Sequence, residues 1–339
     1  MLYFSSSYVK FWLAIAASLA SLFGLVAAPV STAATAPAYP TKPIRLIVPY
    51  TPGAGTDFTA REVGQQITKT LGQQVLIDNR PGAGATLGHA IVARAQPDGY
   101  TLLLATTGGM VSGPALLGNK IPYDPIKDFA PIGLATYVPY SLVAHPSLGI
   151  NTVKEMLDMA RAAPRKLQIA SPGVGTPNHL GAAQLMTRAG IELIHVPYKG
   201  GSMAFLDVVA GNVPLLIAGL LQPLPFHREG RLRILGVGHS QRLKAYPDIP
   251  TIAETIPGYY NTGWWGIVAP RGTSAAIVST LNTIMVKGLA QADVIQRFEK
   301  NGFEVSTTSP DGFRDMMASD LKMWKKIIVE AKISVDVLP

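Results

Sequence analysis

A short apolar run, a loop rich in proline and glycine and an amphipathic pattern follow one another from Ile44 to Leu71. Ile44 to Val48 is β-branched and apolar, the mark of a buried strand. Pro49 to Thr56 packs two prolines and two glycines into eight residues, so the strand ends in a tight loop. Beyond it Ala60, Val63, Ile67 and Leu71 recur at helical spacing. Asp57 is placed to cap that helix, and Gly72 to end it with positive φ. A strand, a glycine-rich loop and a helix start together offer free backbone N–H groups and the positive end of a dipole. That combination favours an anion.

The device occurs twice. Leu167 to Ala170 reads as a strand, Ser171 to Asn178 as its loop, and His179 to Ala189 as a helix closed by Gly190. Either unit alone is equally an ordinary βα connection. The pair points to a site built between them.

The first stretch reads as a leader. Lys10 is the only charged residue before Lys42, and Phe11 to Ala28 is apolar apart from small residues. Ser31-Thr-Ala-Ala34 supplies the small residues of a cleavage site, and Ala36-Pro-Ala38 a second one. A cleavable signal peptide over residues 1–34 is expected, with the mature N-terminus between Thr35 and Tyr39. An uncleaved anchor is the competing reading, since the run almost spans a bilayer. Export to a bacterial periplasm agrees with the absence of cysteine, which also excludes a disulfide scaffold and thiolate chemistry. The net charge of +8 comes from scattered lysines and arginines without an aromatic-interleaved basic face. Nucleic acid is therefore not an expected partner. A mild positive field helps to collect anionic solutes.

Short apolar runs alternate with helical patterns through the remaining chain, the signature of α/β units around mostly parallel sheets. Strands are expected at 75–78, 102–105, 140–144, 192–196 and 233–237, with a helix at 88–95. Thr152 to Glu155 is a capping box opening a helix to Ala162, and Ser202 to Ala210 is a helix ended by Gly211. Helices at 274–289 and 293–300 follow, and Ser309-Pro310 starts the last one. No linker divides the chain. A discontinuous arrangement fits better, with crossings near Tyr137 to Tyr140 and Gly258 to Gly263. It gives a first lobe of 39–138 plus 263–339 and a second of 139–262.

The other motifs do not carry chemistry. Gly82 to Gly88 has Leu87 where a dinucleotide fingerprint needs its third glycine, and no P-loop Gly-Lys-Ser/Thr exists. The six histidines are dispersed, so no metal site is expected, and no cofactor. His179 beside Ser171 and Thr176 resembles a Ser–His pair, yet there is no nucleophile elbow and no evident orienting acid. The expectation is that His179 ties the loop to its own helix.

Several motifs occur together: Tyr39 to Tyr50, Asn79-Arg-Pro-Gly-Ala-Gly84, Pro97-Asp-Gly-Tyr100, Tyr123 to Phe129, Ser171 to Leu180, His195-Val-Pro-Tyr-Lys-Gly200 and Pro247 to Thr251. In this combination the chain resembles the Bug family, the extracytoplasmic solute receptors of the tripartite tricarboxylate transporter, from Tyr39 to about Ile333. The resemblance implies a type II periplasmic binding-protein fold: α/β, two lobes, a ligand cleft and a hinge. It implies that both loops grip a ligand carboxylate, with Tyr50, Gly53, Ala54, Gly55, Thr56 and Asp57 from the first. From the second come Ser171, Gly173, Gly175, Thr176 and His179, with Tyr198 nearby. A monomer is expected, delivering a small organic acid to membrane permease subunits.

Two departures stand out. Ala54 replaces the usual second glycine of the first loop, and Val213 to Ala218 is apolar where the family carries an Asp and an aromatic facing the cleft. A less polar distal pocket is the expectation. A ligand-presenting sensor subunit for a membrane kinase shares every one of these features. A secreted α/β hydrolase is a third reading, which lacks an activated nucleophile.

Overall fold

The structure, a computed structural model, describes residues 39–53, 55–198, 200–330 and 333. The expected leader and Ala54 lie outside the described residues. β1 (Ile44–Val48) leads into α1 (Gly55–Leu71), which Gly72 ends with φ +70°. β2 (Val75–Asn79), α2 (Thr86–Ala93) and β3 (Thr101–Thr106) complete two βα units, with β2 and β3 both parallel to β1. A π-helical turn, Gly108–Ser112, then runs into the short α3 (Gly113–Leu117).

The long strand β4 (Phe129–Ala144) organises the rest. It is followed by α4 (Val153–Ala162), β5 (Gln168–Ser171), α5 (Pro177–Ala189), β6 (Ile194–Pro197) and α6 (Gly201–Val209). Next come β7 (Leu215–Gly219), α7 (Leu224–Arg228), β8 (Arg233–Val237) and β9 (Thr262–Pro270). The chain closes with α8 (Ala275–Leu289), α9 (Ala292–Lys300), β10 (Glu304–Val305) and α10 (Pro310–Glu330).

The strands lie in the order β2-β1-β3-β9-β4-β7-β5-β6, with β8 and β10 also paired to β4. From Phe129 to Pro139 β4 pairs with β9; from Tyr140 to Ala144 it pairs with β7 and β8. The exchange of partners falls at Pro139, which has no N–H to give a ladder. These β4 contacts are antiparallel, so the sheet is mixed and not mostly parallel as the alternating pattern implied. Among the described strands, parallel ladders join β1, β2 and β3 and join β5, β6 and β7.

Four apolar clusters cover both faces. Ile44, Leu46 and Val48 point into one cluster with α1 and α8, while Ile47 points into another with Trp264 and Phe313. The same alternation accounts for the apolarity of 215–218. Leu215 and Ile217 enter one core and Leu216 and Ala218 the opposite one, each below 6% exposed. The stretch is a central strand buried on both faces, which explains its unbroken apolarity.

Candidate functional site

The first loop is held from three sides. Asn79, at the end of β2, donates from its amide to the Tyr50 carbonyl at 3.0 Å and to Asp57 Oδ1 at 3.1 Å. Asp57 Oδ2 accepts the Gly53 N–H at 3.2 Å and Arg61 Nε at 2.8 Å. Asp57 is thus not the N-cap that the sequence pattern implied. The helix begins at Gly55, so Asp57 lies in its first turn and reaches back to the loop, as the acidic member of a capping box does. Burial pushes its carboxyl pKa upward, but the bonds from Arg61, Gly53 and Asn79 prevail and hold it below the usual range.

Gly55 has a packing reason. A Cβ there would stand 2.5 Å from Phe303 Cζ and 2.7 Å from Trp265, so only glycine lets the helix start this deep. Among the described residues, the Gly55, Thr56 and Asp57 N–H groups have no intramolecular acceptor, as expected for a first turn. Thr56 Oγ1 is sealed from solvent and has no partner either.

The second loop is held by its own side chains. Ser171 Oγ lies 2.7 Å from His195 Nε2 and accepts the Gly173 N–H at 3.2 Å. Thr176 is the N-cap of α5: its Oγ1 accepts from His179 N at 3.3 Å and donates to the Gly173 carbonyl at 2.7 Å. The helix therefore starts at Pro177, not at His179. His179 ties the loop to its helix, accepting the Gly175 N–H on Nδ1 at 3.2 Å. The two hydroxyls read as ligand donors are thus engaged within the loop. Val174 and Asn178 are left as N–H groups without an intramolecular acceptor among the described residues.

The His179 and His195 rings stack at 4.2 Å between centroids, and burial pushes both down to about 4. Both are neutral at pH 7, and among the described residues neither meets a carboxylate. Ser171 and His195 accordingly lack the orienting acid of a hydrolytic triad. Tyr198 supports the loop by its backbone, donating its N–H to the Ser171 carbonyl at 2.9 Å. Its hydroxyl is taken by Asp207 of α6, and burial with that contact pushes the phenol up to about 12.

One segment borders both loops. Tyr50 Oη lies 2.9 Å from where a Cβ on Gly108 would be, and Leu116 of α3 lies 2.6 Å from where one on Gly175 would be. The π-turn and α3 thus run from the first loop to the second. Ser112 within the turn is fully buried with a free Oγ, and π-helical turns recur at functional sites. Sequence reading missed this segment, since Thr106 to Leu117 has neither periodicity nor a charged residue. Asn79 and His195 were present only as members of the quoted motifs, without a role.

Residues 59–333 match the Tripartite tricarboxylate transporter family receptor. The chain belongs to this family. It is 32% identical over 306 residues to the protein BugT of Bordetella pertussis, covering 90% of this chain and 93% of that one. An R. palustris protein solved with adipate shares 32% identity at a TM-score of 0.81, covering 87% of this chain and 99% of its own. MatC from Rhodopseudomonas palustris, solved with bound malate, shares 30% identity at a TM-score of 0.77 and covers 86% and 100%. The family assignment makes the chain a solute receptor of the tripartite type on a periplasmic binding-protein fold. Among the described residues no helix is long and apolar enough to cross a membrane.

Proposed function

We propose that this receptor closes on a small organic carboxylate and hands it, as a monomer freed of its leader in the periplasm, to the membrane permease of its transporter. The observation that carries this reading is the pair of glycine-rich helix starts, both bordering the 108–117 segment and both presenting unpaired N–H groups. Two such helix starts supply donors and positive potential, so no arginine clamp is required. Adipate and malate in two relatives support an acid as the ligand class. In this scheme Gly53, Ala54, Gly55 and Thr56 face one end of the acid and Gly173 and Gly175 the other. Tyr50 closes the side. Asp57, Ser171, Thr176, His179 and Tyr198 hold the loops in shape. The lobes are 39–138 with 263–339, and 139–262.

The protein turns nothing over in this reading, because Ser171 and His195 have no orienting acid. Calorimetry of the mature chain against aliphatic and aromatic mono-, di- and tricarboxylates, adipate and malate included, tests it. Saturable binding of at least one acid is expected, weakened by about 0.5–1.5 kcal/mol in Thr56→Val. A bound structure with the carboxylate away from both loops, or esterase turnover lost in Ser171→Ala, overturns the reading.

A further inference from the structure

A cavity of about 170 Å³ lies beside the point where β4 changes partners and shares no residue with the two loops. One wall is the segment after β8 that carries Leu243 and Lys244, and the other is the end of α9 with β10. Tyr246 ties the walls together, its hydroxyl donating to the Glu299 carbonyl at 3.2 Å. The floor is apolar, formed by Pro139, Leu243 and Phe303, the last two 7% and 5% exposed. The rim is charged. Among the described residues Lys244 and Glu299 have no ion-pair partner within 4 Å, and Glu304 has only His239, at 3.9 Å. The neighbouring arginines do not serve them: Arg242 is held by Glu254 at 2.7 Å and Arg297 by Glu62 and Asp293 at 2.9 Å.

The size is near that of an apolar cavity known to admit benzene, roughly 150 Å³. It suits a branched alkyl chain or one ring. A rim with one free ammonium and two carboxylates matches a ligand bearing both charges. We propose that this cavity binds an α-amino acid with an apolar side chain, of the leucine class. The side chain rests on Leu243 and Phe303, the carboxylate meets Lys244, and the ammonium meets Glu299 and Glu304. The site shares no lining residue with the two loops, although Phe303 also packs beneath Gly55 of the first.

Titration of the mature chain with leucine, 3-methylbutylamine and 4-methylpentanoate tests the assignment. Calorimetry gives the affinities, and the variants below assign them to this cavity. Leucine should bind with Kd on the order of 1 mM, and each singly charged analogue about threefold or more weaker. Lys244→Met should weaken leucine about threefold and remove its advantage over the amine. The Glu299→Gln, Glu304→Gln double variant should remove its advantage over the acid. Ala245→Trp, at an exposed position in the wall, should abolish binding by filling the space. Thr56→Val, in the cleft, should leave leucine unaffected. Absence of saturable leucine binding in the millimolar range, or binding lost in Thr56→Val and kept in Lys244→Met, overturns the proposal.

Discussion

Asp57 keeps a charge at 5% exposure because three donors converge on it, from Gly53, Arg61 and Asn79. Its folded pKa is depressed, so its contribution to stability is present above the ordinary carboxylate value and lost as pH falls through the folded one. Asp57→Ala is expected to cost about 1–3 kcal/mol at pH 7, leaving the Gly53 and Asn79 donors unpaired. Asp57→Asn keeps one acceptor and costs less. Urea denaturation at pH 7 and pH 3 checks this: the gap between wild type and Asp57→Ala should narrow at the lower pH. His179 and His195 act with the same sign, over a higher pH range. Both sit near 4 in the folded protein against about 6.5 unfolded, so the unfolded state takes up protons first. Stability should therefore fall as pH drops from 6.5 to 4, by at most about 1.4 kcal/mol per pH unit for each ring. His195→Gln should flatten that slope in denaturation curves across the range. An unchanged slope would mean that the ring is solvated.

At the scale of elements, the two strand–loop–helix units were legible because hydrophobic period and glycine placement agree there. Gly72 and Gly190 adopt the positive φ that a helix end requires, and the Thr152 and Glu155 capping box forms as written. Strands β7 and β9 and the first half of β4 were not legible. Buried on both faces, they have no alternation, and Pro131, Pro139 and several glycines imitate loop composition. The π-turn was invisible for another reason: its conformation is imposed by tertiary packing. A Cβ on Gly109 would stand 2.1 Å from the ring of His89, which is fully buried and bonded to the Ala85 carbonyl at 2.8 Å. Gly109→Ala must displace that ring or the turn. A loss of about 2–3 kcal/mol is expected, with weaker acid binding because Tyr50 rests on the same turn. Thermal unfolding with calorimetry would show both changes; normal affinity in the variant would separate the turn from the site. Leu180 supplies a second element-scale test. It lies on α5 yet is fully buried with Trp264 and Phe313, so Leu180→Ala should cost about 2–5 kcal/mol.

At the scale of the whole molecule, the proposed closure turns on where the two lobes join. The proposed crossings near Tyr137 to Tyr140 and Gly258 to Gly263 would lie where β4 changes partners at Pro139 and where β9 begins. Three backbone bonds close around this point: Tyr140 N to the Asn261 carbonyl at 3.4 Å, Asn261 N to Gly238 at 2.8 Å, and Gly238 N to Tyr140 at 2.7 Å. The Tyr140 ring covers Gly263, where a Cβ would lie 2.9 Å from Cε2. Burial raises the Tyr140 phenol, and the nearby Tyr50 phenol raises it further. If the proposed lobes close about this point, Gly263→Ala alters the balance between open and closed states without touching a ligand contact. Apparent affinity scales with the population able to bind, so every acid should lose the same factor, about three- to tenfold, whatever its chain length. Overpacking should also lower stability by about 1–3 kcal/mol. Calorimetry with several acids and small-angle scattering with and without ligand decide the matter. A uniform loss with a changed radius of gyration in the free protein identifies the crossing as the hinge. A loss confined to one acid, or full affinity despite the lost stability, shows that closure takes place elsewhere.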